Sequence, residues 1–280
     1  MCRGTSVHVP VSVSALEASD AGQETLEHLW LVLEGCSSAG PELLARRRRR
    51  NAAATRRDTT FSFAADYFDL TRRTMETYDP AVCQALALRF RENGTWMVPT
   101  NAGTWGSAMA GDSSFAHRPE FAGVPRWLQN ALAPFALRNS RRTAEEIEQR
   151  RRWHQHKLKI VSLMSGAGVQ FLAGTDNPGA YTFPGFSLHD ELALFVEAGL
   201  SPLKALQTAT LLPARYLNTT DSLGHVAPGK VADLVLLDAN PLEDIRNTRR
   251  INAVVVNGRY FDQAALKRLL SVPVNVPDVR

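Results

Sequence analysis

A parallel α/β architecture built from βα units, followed by a smaller β-rich unit, is the fold class predicted for this 280-residue chain. Two observations predict it. Short β-prone runs alternate with helical patterns as far as residue 177, which implies parallel strands joined by crossover helices. From Leu223 onward the texture changes to short β elements separated by turn residues. The length allows one or two domains with a full core.

Val7–Val11 reads as the first strand, with helical character over Ser14–Gly22 behind it. Thr25–Leu29 is the second strand, and Pro41–Ala54 a helix with proline in its first turn. Asp79-Pro80 opens a helix through Phe90, Asn93-Gly94 closes it, and Thr95–Thr100 is the third strand. Residues 103–134 are rich in Gly, Ala, Ser and Pro and read as a long loop or insertion. A charged helix over Thr143–Ser165 stops at Gly166, and Val169–Ala173 is the fourth strand, ending in Gly174-Thr-Asp176. Leu188–Ala198 and Pro202–Leu217 read as helices. Ala232–Leu237 and Ile251–Val256 read as strands, with a turn at Asn257-Gly258. Residues 263–280 form a C-terminal helix or tail.

Composition narrows the class. At 44% hydrophobic and 21% charged residues the chain is ordinary for a soluble globular protein. It contains no apolar run of about 18 residues, so no membrane span and no membrane partner are expected. Met1–Pro10 lacks the apolar region of a secretory signal. The three cysteines, Cys2, Cys36 and Cys83, have no metal-type spacing and read as free thiols, which suits a reducing compartment, cytoplasm by default. Arginine dominates the 32 basic residues. The run Arg46–Arg50, with Arg56 and Arg57, reads as a solvated face. No aromatic interleaving accompanies it, so no nucleic-acid partner is expected.

In parallel α/β barrels, functional side chains project from the C-terminal ends of strands. His8 belongs to the first strand, His28 ends the second and Asp176 ends the fourth. Two imidazoles and a carboxylate on one sheet have the chemistry of a divalent metal site, zinc in particular. Taken singly, a strand-end histidine is more often a structural hydrogen-bonding residue.

The joint pattern resembles a family. Gly174-Thr-Asp-Asn177, Leu188-His-Asp-Glu-Leu192, Glu197-Ala-Gly-Leu-Ser-Pro202 and Ala205-Leu-Gln-Thr-Ala-Thr210 resemble the last barrel strand and following helices of the amidohydrolase superfamily. Leu223-Gly-His-Val-Ala-Pro-Gly229 and its continuation to Val235, Asp238-Ala-Asn-Pro-Leu242 and Ala253-Val-Val-Val-Asn-Gly258 resemble the entry into that family's small β-sandwich. The texture is similar to imidazolonepropionase-like and Xaa-Pro dipeptidase-like members. The resemblance implies a partial (βα)8 barrel, strands five to eight, over residues 1–222. Part of a composite β-sandwich would follow over 223–262, with a terminal helix or tail over 263–280.

It implies chemistry as well. His8 and His28 would be the histidines of the fifth and sixth strands, and Asp176 both a metal ligand and the catalytic proton carrier. The complete protein would hold one or two divalent ions, of zinc by the donor set. Thr100, Asn177 and His189 are candidates for substrate contact. The reaction implied is hydrolysis of an amide or cyclic amide in a small molecule or short peptide, by water that a metal activates. Phosphoester or other ester hydrolysis on the same scaffold is the alternative.

The family's His-x-His pair and its bridging Lys or Glu belong to strands that this chain does not match. A truncated product is therefore expected, with a self-associating short protein as the competing explanation. A non-catalytic fragment is the reading from another class. His154-Gln-His156 has the His-x-His spelling but lies on a helix, where residues i and i+2 point about 200° apart and cannot chelate one ion. Both read as exposed.

Overall fold

The computed structural model describes residues 8–55, 63–109, 112, 118, 120, 124–130, 142–178 and 181–271. Among these, three short strands form a parallel sheet in the order β1-β2-β3: β1 is Thr25–Glu27, β2 Trp96–Val98 and β3 Gln170–Phe171. Leu26 pairs with Met97, and Met97 with Phe171. These three side chains are buried, and the core grows around them through Phe90, Ile160, Val161, Met164 and Phe195.

Helix α1 (Ala15–Asp20) precedes β1, and α2 (Val32–Gly35), α3 (Gly40–Thr55), α4 (Phe63–Glu76) and α5 (Pro80–Glu92) lie between β1 and β2. Helices α6 (Asn101–Ala108) and α7 (Ala144–Gly166) lie between β2 and β3. After β3 come α8 (Ser187–Glu197), α9 (Pro202–Thr208) and α10 (Leu211–Tyr216). Local chemistry sets several starts. Ser14 and Glu17 form a reciprocal capping box on α1, as Thr143 and Glu146 do on α7. Asp79 caps α5 by accepting from Ala81 N at 2.8 Å.

A second, antiparallel sheet has the order β4-β5-β6, with β4 at Leu234–Leu237, β5 at Ile251–Val256 and β6 at Arg259–Phe261. Asn257 and Gly258, both at positive φ, make the hairpin turn. Helix α11, Gln263–Ser271, closes the described chain. Val235 and Leu236 remain 58% and 56% exposed, so this sheet has apolar surface that nothing in the described residues covers.

Several expectations are corrected. Residues 8–11 carry no strand, so the described parallel sheet has three strands and not four. Pro10 cannot donate to a ladder, and its carbonyl accepts instead from Val13 N in a turn. Val7 lies outside the described residues. Part of the expected loop over 103–134 is helix α6, whose packing against α7 and α8 outweighs the poor helix propensity of Gly103 and Gly106. The expected helix Pro202–Leu217 is two helices. Pro213 has no N–H to continue the first one, and Thr208 O accepts from Ala173 N. Helix α4 had no sequence-based assignment at all.

The cysteine reading is also overturned. Cys36 and Cys83 form a disulfide, with Cα atoms 4.1 Å apart. Asp79 N donates to Cys36 O and Ser37 bridges to Tyr78, so the end of α2 is tied to the start of α5 and both sulfurs meet in the core. Cys2 lies outside the described residues. The arginine run is not a uniformly solvated face. Arg48 and Arg49 are exposed, but half-buried Arg46 binds Asp66 and Asp69, and Arg47 binds buried Glu34. Arg56 and Arg57 lie outside the described residues.

Candidate functional site

Parallel pairing brings the C-terminal ends of β1, β2 and β3 to one edge of the sheet. His28, Thr100 and Asp176 follow the three strands, and all have left-handed backbones, with φ of 59°, 50° and 53°. That region is costly for non-glycine residues, most of all for β-branched Thr100. Strain gathered at three neighbouring strand ends points to a functional edge.

The side chains converge there. His28 N donates to Val98 O at 2.8 Å, which carries the ladder one residue past β1. His28 Nδ1 is 2.8 Å from Thr100 Oγ1, and Nε2 is 3.9 Å from Asp176 Oδ2. The His8 ring stacks on His28, with 4.8 Å between centroids. Burial holds the His28 imidazole below its ordinary pKa, against the pull of the Asp176 carboxylate. A neutral ring with one nitrogen engaged and the other pointing at a carboxylate suits metal ligation. Two donors on one zinc ion stand roughly 3.4 Å apart, close to the His28–Asp176 spacing, so the donor set fits a divalent metal. Among the described residues no group of three His, Cys, Asp or Glu side chains is gathered tightly enough to hold an ion completely.

Support comes from two charged side chains that the sequence reading passed over. Lys157 of α7 is buried, and its Nζ donates to Pro99 O and Thr100 O, pinning the end of β2. Glu191 of α8 is fully buried and accepts from Ala102 N at 2.7 Å. Thr100 Oγ1 is engaged by His28 and makes no side-chain cap for α6, so Glu191 performs that capping from a distant helix. Burial lowers the Lys157 pKa and raises that of Glu191. A visible signal existed. Lys157 lies in line with buried His154, Leu158, Val161 and Met164, and Glu191 in line with Ser187, Leu194 and Phe195, at helical spacing.

Gly174 makes the approach of β3 possible. A Cβ there would sit 2.6 Å from Val98 Cγ1, on a stiff side chain of the neighbouring strand end. Asn177 Nδ2 donates to Thr175 Oγ1 at 2.7 Å and turns beside the cavity without lining it. His189 faces elsewhere: its Nδ1 is 3.0 Å from Thr248 Oγ1, just before β5. Next to it, Asp190 joins Arg118 and Arg249, which both bind Glu120.

His154 and His156 do point to different places. His154 Nδ1 is 3.0 Å from Thr104 Oγ1, whereas the His156 ring meets Tyr78. Their expected exposure is corrected: His154 is buried, His156 half-buried, and burial lowers both pKa values to about 4.

His28, Thr100, Asp176 and Lys157 form one part of the wall of a cavity of about 1140 Å³. The connections after β1 and β2 supply much of the rest, including Arg47, Arg50, Arg142 and Arg150.

Residues 142–260 match the amidohydrolase family. Adenine deaminase 2 of Jannaschia sp. is 49% identical over 53 residues, 19% of this chain and 8% of that protein. The adenine deaminase of Moorella thermoacetica is 30% identical over 131 residues, 45% of this chain and 20% of that protein. Among solved structures, a bottromycin amidohydrolase superposes with a TM-score of 0.67 at 22% identity, over 94% of this chain and 50% of that one. The chain thus spans half of that structure, and the matched segments are small parts of the curated relatives. The resemblance read from the strand-end and helix motifs is borne out, and it extends upstream through α7.

Proposed function

We propose that this relative of the amidohydrolase family is a metal-dependent hydrolase of carbon–nitrogen bonds, amide or cyclic amide, acting through Asp176. The observation that carries the reading is the position of Asp176. It follows β3 inside the matched segment, opens on the cavity and faces His28 Nε2 at 3.9 Å. Deaminases among the curated relatives and an amidohydrolase among the structures support the reaction class.

His28 Nε2 and Asp176 would supply two donors to a divalent ion, zinc by donor type, with His8 stacked beside them as the nearest further imidazole; the ion would supply a water nucleophile at neutral pH. Thr100 fixes the His28 ring through Nδ1, and Lys157 fixes Thr100. The Asp176 carboxylate accepts a proton from the attacking water and returns it to the leaving nitrogen. Thr100 contacts substrate from the cavity wall. Asn177 braces Thr175 beside Asp176, while His189 serves the junction with the second sheet. On this reading the parallel sheet is part of the later half of a (βα)8 barrel within residues 1–222. The antiparallel sheet is part of a β-sandwich within 223–262, and residues 263–280 are a terminal helix or tail. The substrate is a small molecule or short peptide.

Amine release by metal-supplemented protein, extended to the full length of its relatives, tests the proposal. Asp176→Asn is nearly isosteric but cannot carry the proton. It should lower kcat by at least about 100-fold with an unchanged melting temperature. Near-normal turnover in that variant would remove Asp176 from the mechanism. The incomplete ligand group favours a second reading, a non-catalytic fragment. Metal analysis showing no bound ion, together with no hydrolysis, would select it.

A further inference from the structure

Trp30 stands two residues past His28, between two leucines whose surroundings differ from its own. Leu29 and Leu31 are 1% and 3% exposed, whereas Trp30 keeps 36% of its surface open. The backbone enforces the difference. His28, Leu29 and Leu31 all lie in the left-handed region, with φ of 59°, 55° and 63°. Two successive turns close around them, through Trp30 N to Glu27 O at 2.9 Å and Val32 N to Leu29 O at 3.0 Å. Non-glycine residues adopt that region only at a cost. Here it sets both leucines into the core and turns the indole toward the cavity that Asp176 also lines.

The ring is then held in place. The Arg47 guanidinium lies over it, 5.1 Å from its centroid, and Arg47 Nε donates to Oε1 of buried Glu34 at 2.6 Å. The His8 ring meets it edge-on, with 6.0 Å between centroids, and stacks in turn on His28. Single apolar side chains on a surface are ordinary. This one differs, because a strained turn and a largely desolvated ion pair both keep it open and fixed beside the proposed metal ligands. A fixed indole presents a flat face on which another ring can stack. Leu33, Tyr67 and Trp153 line the same cavity, so a group placed there leaves water for apolar surroundings. We infer that Trp30 is a stacking platform for an aromatic group of the substrate, so that amides carrying a flat ring are taken in preference to alkyl ones. This rests on the carbon–nitrogen reading and narrows its substrate class.

Calorimetric titration of metal-free protein, extended to the full length of its relatives, tests it, because no hydrolysis intervenes. The probes are the N-acetyl amides of phenylalanine, cyclohexylalanine and alanine, which share their polar groups and are all neutral. The phenylalanine amide should bind at least about ten-fold more tightly than the alanine amide. It should also bind about three-fold more tightly than the cyclohexyl amide, which is as apolar but has no flat face. Trp30→Leu keeps apolar bulk without a ring and should erase the margin over the cyclohexyl amide. Trp30→Phe should retain part of that margin, and melting temperatures matching the parent's report the folding of both variants. Equal binding of the three amides, binding of none, or an undiminished phenyl margin in Trp30→Leu would overturn the proposal. A metal-loaded hydrolysis assay separates the two claims. A ring preference in binding without hydrolysis of any amide removes the reaction and leaves the platform. Hydrolysis at equal kcat/KM for all three removes the platform alone.

Discussion

His28 and Asp176 were legible as candidates because strand ends are where a parallel sheet presents chemistry, and each stood at the end of a β-prone run. Lys157 and Glu191 were legible only as anomalies, charges set into apolar stripes whose partners lie 58 and 89 residues away. No local pattern announces such a partner. The proposed ligands can be tested together. Burial depresses the His28 pKa, which favours the neutral ring that binds metal. In metal-reconstituted protein extended to the full length of its relatives, replacing His8 and His28 with alanine should lower bound divalent metal from about two ions per chain to about one or fewer. Elemental analysis reads the result, and unchanged stoichiometry would assign both histidines a structural role.

Elements were legible where caps and turns are local. Ser14, Asp79, Thr143 and the Asn257-Gly258 turn announce themselves in the sequence, and the helices and hairpin begin where they stand. The strands proved shorter than their apolar runs, because β1, β2 and β3 pair over two or three residues before their ends bend into the site. The disulfide was illegible because its cysteines meet through a backbone bridge between distant segments. Gly174 belongs to this scale: its closeness to Val98 sets where β3 delivers Asp176. Gly174→Ala should force the two strand ends apart, lowering stability by about 1–3 kcal/mol. In protein extended to the full length of its relatives, activity should fall more than that loss of folded protein explains. Melting curves beside kinetics check this, and a neutral outcome in both would show that the strand ends yield freely. The buried imidazole on α7 gives a pH signature. His154 titrates near pH 4 in the folded chain and near 6.5 when unfolded. Between those values the unfolded chain holds more protons, so stability falls as pH drops through the window. The raised pKa of Glu191 acts in the opposite direction and is common to any variant at 154. His154→Gln should therefore lose less stability than the parent between pH 6.5 and 4, by about 1–2 kcal/mol. Denaturant titrations at the two pH values measure it, and an identical loss would mean that His154 does not titrate across that window.

At the scale of the whole molecule, the described surfaces are those of a structure with unfinished edges. The outer sides of β1 and β3 pair with no further strand among the described residues, and the parallel sheet stays open. The second sheet leaves Val235, Leu236 and Tyr260 more than half exposed, and α11 adds Leu269 and Leu270 at 59% and 70%. Unpaired strand edges and contiguous apolar faces promote association between chains, and a net charge of +4 over 280 residues opposes it only weakly. Catalysis meets a separate obstacle, since the ligands that converge at His28 and Asp176 do not complete a set. The chain expressed by itself should therefore be oligomeric or poorly soluble, and inactive on amides. Light scattering, metal content and an amide-hydrolysis assay on one preparation test these together. Self-association with activity would mean that neighbouring copies complete the site. A stable monomer holding stoichiometric zinc and turning over substrate would show that the open edges and sparse ligands suffice, and would overturn the prediction.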